Sequence, residues 1–248
     1  MFRFKVYQNL NRIFISIFLL FFIGQFIFWF QTEKVKPDVY IVPPLPSLAS
    51  VQAFSFGDEQ FYFRILALRI ENAGDSFGRF SSLKNYDYAT LYQWFKILDS
   101  LDNRSIYIPT LAASYFSQTQ NKEDTRYIVQ YLDEFASQDI DKYWWWMVQA
   151  FYIANSTLKD YPLALKLAYK LSENKNETAP VWIKQLPAFV QAKLGEDCAA
   201  FLFINKIIQD DQTGERKIAA EEMEFMRYFI KQRLDSLKKK NFDPNQCK

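Results

Sequence analysis

Apolar residues are distributed along this chain in three different ways. From Ile13 to Phe30 they form one run, IFISIFLLFFIGQFIFWF, interrupted only by Ser16, Gly24 and Gln25. An uncharged stretch of this length reaches the lower end of what spans a bilayer. From Gln31 to Pro46 the pattern is lost. Pro37, Pro43, Pro44 and Pro46 deny that stretch a helix and predict an extended, semi-rigid spacer holding the rest of the chain off the bilayer. From Ser47 onward, apolar positions recur at intervals of three and four, the spacing of amphipathic helices.

The helices can be placed by their boundaries. Ser47 precedes a short one, Leu48 to Phe54, stopped at Gly57. Asp58 is placed to cap a helix that ends at Ala73 before Gly74, and its interior, FYFRILALRI, is apolar on most sides, as in a helix covered by neighbours. In the helix after Asp87, Tyr88, Leu91, Phe95, Leu98 and Leu101 make one stripe. Pro109 opens the next (Leu111 to Gln118), and Tyr127, Ile128, Tyr131, Leu132, Phe135 and Ala136 repeat in pairs every four residues after Asp124. Two further pairs follow, Lys142 to Ser156 with Tyr161 to Leu171, and Pro180 to Gly195 with Asp197 to about Asp210. After the turn Gln212-Thr213-Gly214, a long helix runs from Arg216 to about Lys239. The predicted fold is all-α.

Asp87, Asp124, Asp160 and Asp197 stand 37, 36 and 37 residues apart, each opening the second helix of a pair. Such a period marks a solenoid, whose units bury their apolar faces only against neighbours. Ala188, Gly195, Ala200, Ile204 and Ile207 in the last unit, and Ala150, Tyr161, Ala164, Ala168 and Leu171 in the one before, fall at the small, glycine and apolar positions of a tetratricopeptide repeat. The chain resembles a degenerate, slightly long version of that family. The resemblance implies a right-handed α-solenoid of about four helix pairs with a long C-terminal capping helix, and a concave groove for a peptide or partner helix. In layout it is similar to ancillary repeat subunits of the bacterial secretion translocon and to envelope-assembly scaffolds.

Charge orients this assembly. Residues 1–12 hold Arg3, Lys5 and Arg12 and no acid, whereas Lys34 and Lys36 beyond the apolar run are offset by Glu33 and Asp38. Lys and Arg near the ends of a span stay cytoplasmic, so residues 13–30 read as a signal anchor, 31–46 as a linker, and 47–248 as an exported helical domain. A cleaved signal peptide has the same charge layout but needs small residues at its cut site, and Phe28-Trp29-Phe30-Gln31 offers none. The expected location is a bacterial inner membrane with the domain in the periplasm; a eukaryotic lumen is the other possibility, where Asn103, Asn155 and Asn176 would be glycosylation sequons. The whole chain has 30 basic and 28 acidic residues, and Arg3, Lys5 and Arg12 stay inside, so what is exported is close to neutral, near −1, which argues against nucleic acid. Cys198 and Cys247 are the only cysteines. They either pair in an oxidising compartment, or Cys198 serves as a small core residue.

Little chemistry is left for catalysis. Histidine is absent, which removes the commonest general base and metal ligand, and two cysteines cannot make a zinc site. The acid pairs Asp58-Glu59, Glu123-Asp124 and Glu196-Asp197 sit at expected helix starts, where they complement the macrodipole. We therefore expect a non-enzymatic chain with no cofactor, metal or small-molecule substrate, whose partners are the membrane and a protein or larger membrane complex. Gly24 and Gln25 would serve the latter if the anchor packs on other spans. The candidate partner-binding residues are Tyr143, Trp144, Trp145, Trp146 and Tyr152. Three successive indoles sweep about 200° of a helix, so either the helix is wedged between neighbours or one ring faces a groove. Pro187 is expected to kink its helix, by curvature or as a hinge. The stripe Met223, Met226, Ile230, Leu234 and Leu237 either caps the open end of the stack or meets a partner.

Overall fold

A computed structural model describes residues 2–32, 40–76, 79–212, 218–243 and Cys247. The charges expected at 33–38, Gly78 and the turn at Thr213-Gly214 lie outside the described residues. The chain divides into two compact units, Met1–Tyr40 and Ile41–Lys248.

The first unit is one helix, α1 (Phe2–Thr32). Its segment Ile13–Gln31 is exposed throughout and is long and apolar enough to cross a membrane. Rings four residues apart stack along it, as between Phe18 and Phe22 and between Phe26 and Phe30.

The second unit is helical apart from one two-residue β ladder. Its elements are α2 (Leu48–Ser55), α3 (Glu59–Glu71), β1 (Asp75–Ser76), β2 (Arg79–Phe80), α4 (Tyr88–Leu101), α5 (Tyr107–Ser114) and α6 (Thr125–Ala136). After these come α7 (Ile140–Tyr152), α8 (Tyr161–Ser172), α9 (Trp182–Leu194), α10 (Asp197–Gln212) and α11 (Ala220–Lys239). The largest packed pairs are sequence neighbours: α6 on α7, α8 on α9, α9 on α10 and α10 on α11. The second helices begin at Tyr88, Thr125, Tyr161 and Asp197, the regular spacing read from the aspartates. The first helices start at less regular intervals, and the ladder Asp75↔Phe80 and Ser76↔Arg79 lies between α3 and α4. Gly74 leads into that ladder with φ +82°, and a Cβ there would strike the Tyr86 hydroxyl, which donates to the Ala73 carbonyl.

One file of rings crosses the core of this unit. Tyr86 meets Phe116, Phe116 meets Phe95, and Phe95 lies 4.8 Å from Tyr131 between centroids. Tyr131 then meets Phe135, which lies 4.6 Å from Tyr143. Five segments, the turn before α4 and the α5–α6 turn among them, are thus joined by contacts that exceed simple area burial. A second, smaller cluster holds Ala188, Ala200, Ile204, Met226 and Phe229, and joins α9, α10 and α11.

Several expectations are corrected. The stretch Gln31 to Pro46 is not all spacer: Val42 and Pro43 are buried, and the buried Trp94 indole donates to the Pro43 carbonyl at 2.7 Å. An indole N–H so deep in the core needs an acceptor, and this one captures the linker. Helix α3 is not covered on most sides. Phe63, Leu66, Ala67 and Ile70 are buried, while Phe61, Ile65 and Leu68 are exposed, because packing against α2 and α4 covers only part of the helix surface. Asp58, Asp87 and Asp160 do cap α3, α4 and α8 with their carboxylates. Asp124 makes no cap bond, because a turn of 3-10 helix capped by Asn121 leads into α6. Helix α5 starts at Tyr107, with Pro109 in its first turn where no N–H is needed. Helix α7 starts at Ile140, capped by Asp139. It closes as a π-helix, Ile153–Leu158, which buries Asn155 against the Lys193 ammonium and makes that sequon inaccessible. Helix α9 continues through Pro187, and α11 begins at Ala220.

Asp197 differs most from expectation. It opens α10, but its carboxylate, 3 % exposed, turns to α11 instead of the local amides. It accepts from Arg233 at 3.1 Å, Ser236 at 2.8 Å and Lys240 at 2.7 Å. Burial alone would raise its pKa. The Lys240, Ser236 and Arg233 contacts outweigh that and hold it below the usual range. Cys198, one residue on, is bonded to Cys247 and is only half-buried, so the role of a small core residue is overturned. The two crosslinks hold the C-terminal segment to α10. A loop of 49 residues closed this way gains about 4 kcal/mol from the reduced entropy of the unfolded chain.

Two predictions follow from this packing. Asp197→Ala strands the Arg233 guanidinium and is expected to cost about 3 kcal/mol in urea unfolding at pH 7. The stabilisation exists above the ordinary carboxylate pKa and fades as pH falls through the depressed value, so the deficit of the variant should shrink in acid. Gln185 is buried in α9, and among the described residues both its side-chain amide atoms lack a hydrogen-bond partner. Gln185→Met is expected to raise stability by about 1–2 kcal/mol; a loss instead would mean that an ordered water satisfies the amide.

Candidate functional site

The five aromatic residues singled out in α7 are separated by the helix turn. Tyr143, 7 % exposed, ends the core ring file and is crossed by the Lys142 ammonium at 4.7 Å. Trp144 and Trp146 are half-buried and pack against the main core. Trp145 is 47 % exposed and Tyr152 is 46 % exposed. Being seven residues apart, they project from one face of α7, with the half-buried Gln149 between them. Trp144 meets Trp145 edge to face at 5.8 Å, and Phe151 meets Tyr152 at 5.5 Å, so each exposed ring is braced by an inner one. The arrangement is a ledge of two rings on the part of α7 that follows a break in helical geometry at Tyr143.

A polar cluster between α4 and α6 was missed by sequence reasoning. Glu134 accepts from Tyr92 at 2.7 Å, Gln130 at 3.0 Å and Lys96 at 2.5 Å, so both its oxygens are engaged. Burial would raise the Glu134 pKa, but these donors, Lys96 foremost, bring it down. Asp99, one turn beyond Lys96 on α4, accepts from Tyr131 at 3.0 Å. Burial lifts its carboxyl from the ordinary 3.8 to about 7, against the opposing pull of Tyr131 and Lys96. The two acids therefore titrate in opposite directions within one cavity of about 230 Å³ lined also by Asn103, Phe135 and Gln138.

Opposed carboxyl pKa values are what acid–base chemistry uses, and these acids lie away from helix starts. Against that reading, the cavity is smaller than the usual ligand range of about 300–1,000 Å³. Glu134 also has no oxygen left to approach a substrate. The cluster clamps α4 to α6. The sequence signal was a four-residue spacing, Tyr92 to Lys96 and Gln130 to Glu134, which is as common on solvated helix faces.

A larger cleft of about 480 Å³ lies between the start of α3 and the end of α4, lined by Asp58, Glu59, Gln60, Asp102 and Arg104 among others. Asp58 serves the α3 cap, and Asp102 takes the Arg104 amide and guanidinium. Among the described residues, no group of acids and cysteines is placed to hold a metal ion. Comparisons with protein-family models, with characterised proteins and with solved structures find no match for this chain.

Asp99 sets a pH dependence with a definite sign. The folded state binds its proton more tightly than the unfolded state does, so stability falls as pH rises from about 4 to about 7. Asp99→Asn keeps an acceptor for Tyr131 and removes the charge. It should match the wild type in urea unfolding near pH 4 and exceed it by about 1–3 kcal/mol at pH 8. An equal difference at both pH values would show that Asp99 does not titrate in this window.

Proposed function

We propose that this protein is a membrane-anchored, non-enzymatic adaptor. A tetratricopeptide-like helical stack is held on the outer side of a bacterial inner membrane and binds a protein partner there. The observation that carries the reading is the Trp145–Tyr152 ledge, two large rings left half-exposed on a helix whose other aromatic residues are buried (Tyr143, Phe151) or half-buried against the core (Trp144, Trp146). Trp and Tyr in such positions dominate interface energetics. The reading is supported on the side of location by α1, with its basic leading residues, and by the Cys198–Cys247 bond, which belongs to an oxidising compartment. The repeat reading draws on the burial of Ala150, Ala164, Ala168, Ala188 and Ala200 at the small-residue positions, and on Gly195 at φ +82° ending α9. The absence of histidine and the size of the Asp99 cavity favour surface over catalysis.

The test uses the anchored chain in its own membrane. A photo-crosslinking residue at position 145 or 152 should capture a discrete protein, and one at Gln232, exposed on α11, should not. Trp145→Ala should abolish that capture from position 152 while changing stability by less than about 1 kcal/mol. Trp144→Ala, which removes packing, should cost about 2–3 kcal/mol. Equal destabilisation by both, with no captured neighbour, would make the ledge part of the core.

A further inference from the structure

We infer that α9 is a hinge at Pro187, about which α10 and α11 swing as one block against the rest of the second unit.

The core is divided at this helix. Among the described residues, the two apolar clusters share no helix except α9. Before Pro187, Ile183 and Leu186 belong to the main cluster, and Trp182 packs against it. After Pro187, Ala188 belongs to the second cluster, and Ala192 packs against that one. Val190 still lies in the main cluster, and Phe189 touches both. The helix thus changes partners at its proline.

The same turn is the weakest in α9. Pro187 has no N–H to return to the Ile183 carbonyl and its ring crowds that turn, yet the helix runs on through it to Leu194. Proline is one of the few causes of sharp bending in a helix. Gln185, two residues earlier, is 1 % exposed, and neither of its amide atoms has a partner among the described residues. On a helical wheel it lies about 20° from Ala192, on the side of the second cluster. A buried amide left unpaired there holds the neighbouring surface less tightly than an apolar side chain would.

Beyond the proline, α10 and α11 are closed on each other. The Asp197 carboxylate takes Arg233, Ser236 and Lys240, and the Cys198–Cys247 bond ties the chain terminus to the same turn. Apart from Val190 and Phe189, the ties from this side to the main body are few and polar. Gln191 donates to the Tyr169 hydroxyl at 2.8 Å, and the Lys193 ammonium donates to Asn155 at 3.0 Å. The Tyr169 ring meets Phe203 of α10 at 5.9 Å. Tyr169 and Lys193 are exposed, so water can replace either hydrogen bond. A bend at Pro187 therefore changes the angle between α8 and α10 while each cluster stays intact, which is the hinge form of domain motion. The hinge is independent of what the α7 ledge binds.

The experiment uses the full chain in detergent micelles with its disulfide intact. Spin labels on Lys166→Cys in α8 and Lys231→Cys in α11 span the hinge. Labels on Gln93→Cys in α4 and Lys166→Cys lie within the main body, and all three positions are exposed. Double electron–electron resonance should give a distance distribution about twice as broad across the hinge as within the body. Pro187→Ala should bring it down to the width seen within the body. Equal widths in the wild type overturn the inference, as does a broad distribution that Pro187→Ala leaves unchanged. Hydrogen exchange on the unaltered chain decides the matter if Pro187→Ala does not fold. The buried amides of Ala188 and Val190, whose helix bonds cross the proline, should exchange about tenfold faster than those of Leu167 and Ala168, equally buried in α8. Equal protection of the two sets also overturns the hinge.

Discussion

The second unit depends on the file of rings from Tyr86 through Phe116, Phe95, Tyr131 and Phe135 to Tyr143. Each ring comes from a segment that could not bury its own apolar stripe, and offset contact between rings adds about 0.5–1.5 kcal/mol per pair to the area they remove from water. The file also determines what its neighbours can be. Because Tyr131 is buried in it, its hydroxyl needs an acceptor, and Asp99 is drawn into a place where its charge is costly. Because Tyr143 ends it, the α7 helix is set in rotation, and Trp145 and Tyr152 are left on the outside.

The two ends of the second unit are held by different means. At the C-terminal end, Asp197 holds α11 over α10, and the Cys198–Cys247 bond ties the chain terminus to α10. At the N-terminal end there is a short α2, a captured linker and an apolar face. Trp94 is central there, since one indole N–H converts what reads as free linker into part of the fold.

Much of the architecture was legible from local signals. Period-3.6 stripes located α4, α6 and α8, and aspartates marked the starts of the second helices because a carboxylate before an apolar run has few other uses. The register of those starts came from the same signal. The misreadings share one cause. Asp197, Pro43 and the apolar interior of α3 were judged by their sequence neighbours, and their roles are set by residues 36 to 51 positions away or by how the neighbouring helices pack. The Asp99–Tyr131 and Glu134–Lys96 contacts were unreadable for the same reason. A carboxylate on a helix face looks alike whether it meets water or the next helix.

The sequence alone determined the helical class, the long apolar N-terminal helix, the positions of most helix starts and the poverty of catalytic groups, because each is a matter of composition or of spacing within one turn. Tertiary structure decided which of five aromatic residues face outward, which aspartate holds two helices together, that the two cysteines meet, and that α3 keeps a bare face. Those outcomes follow from the rotation of each helix about its own axis, and that angle is set only when the neighbouring helix is packed against it.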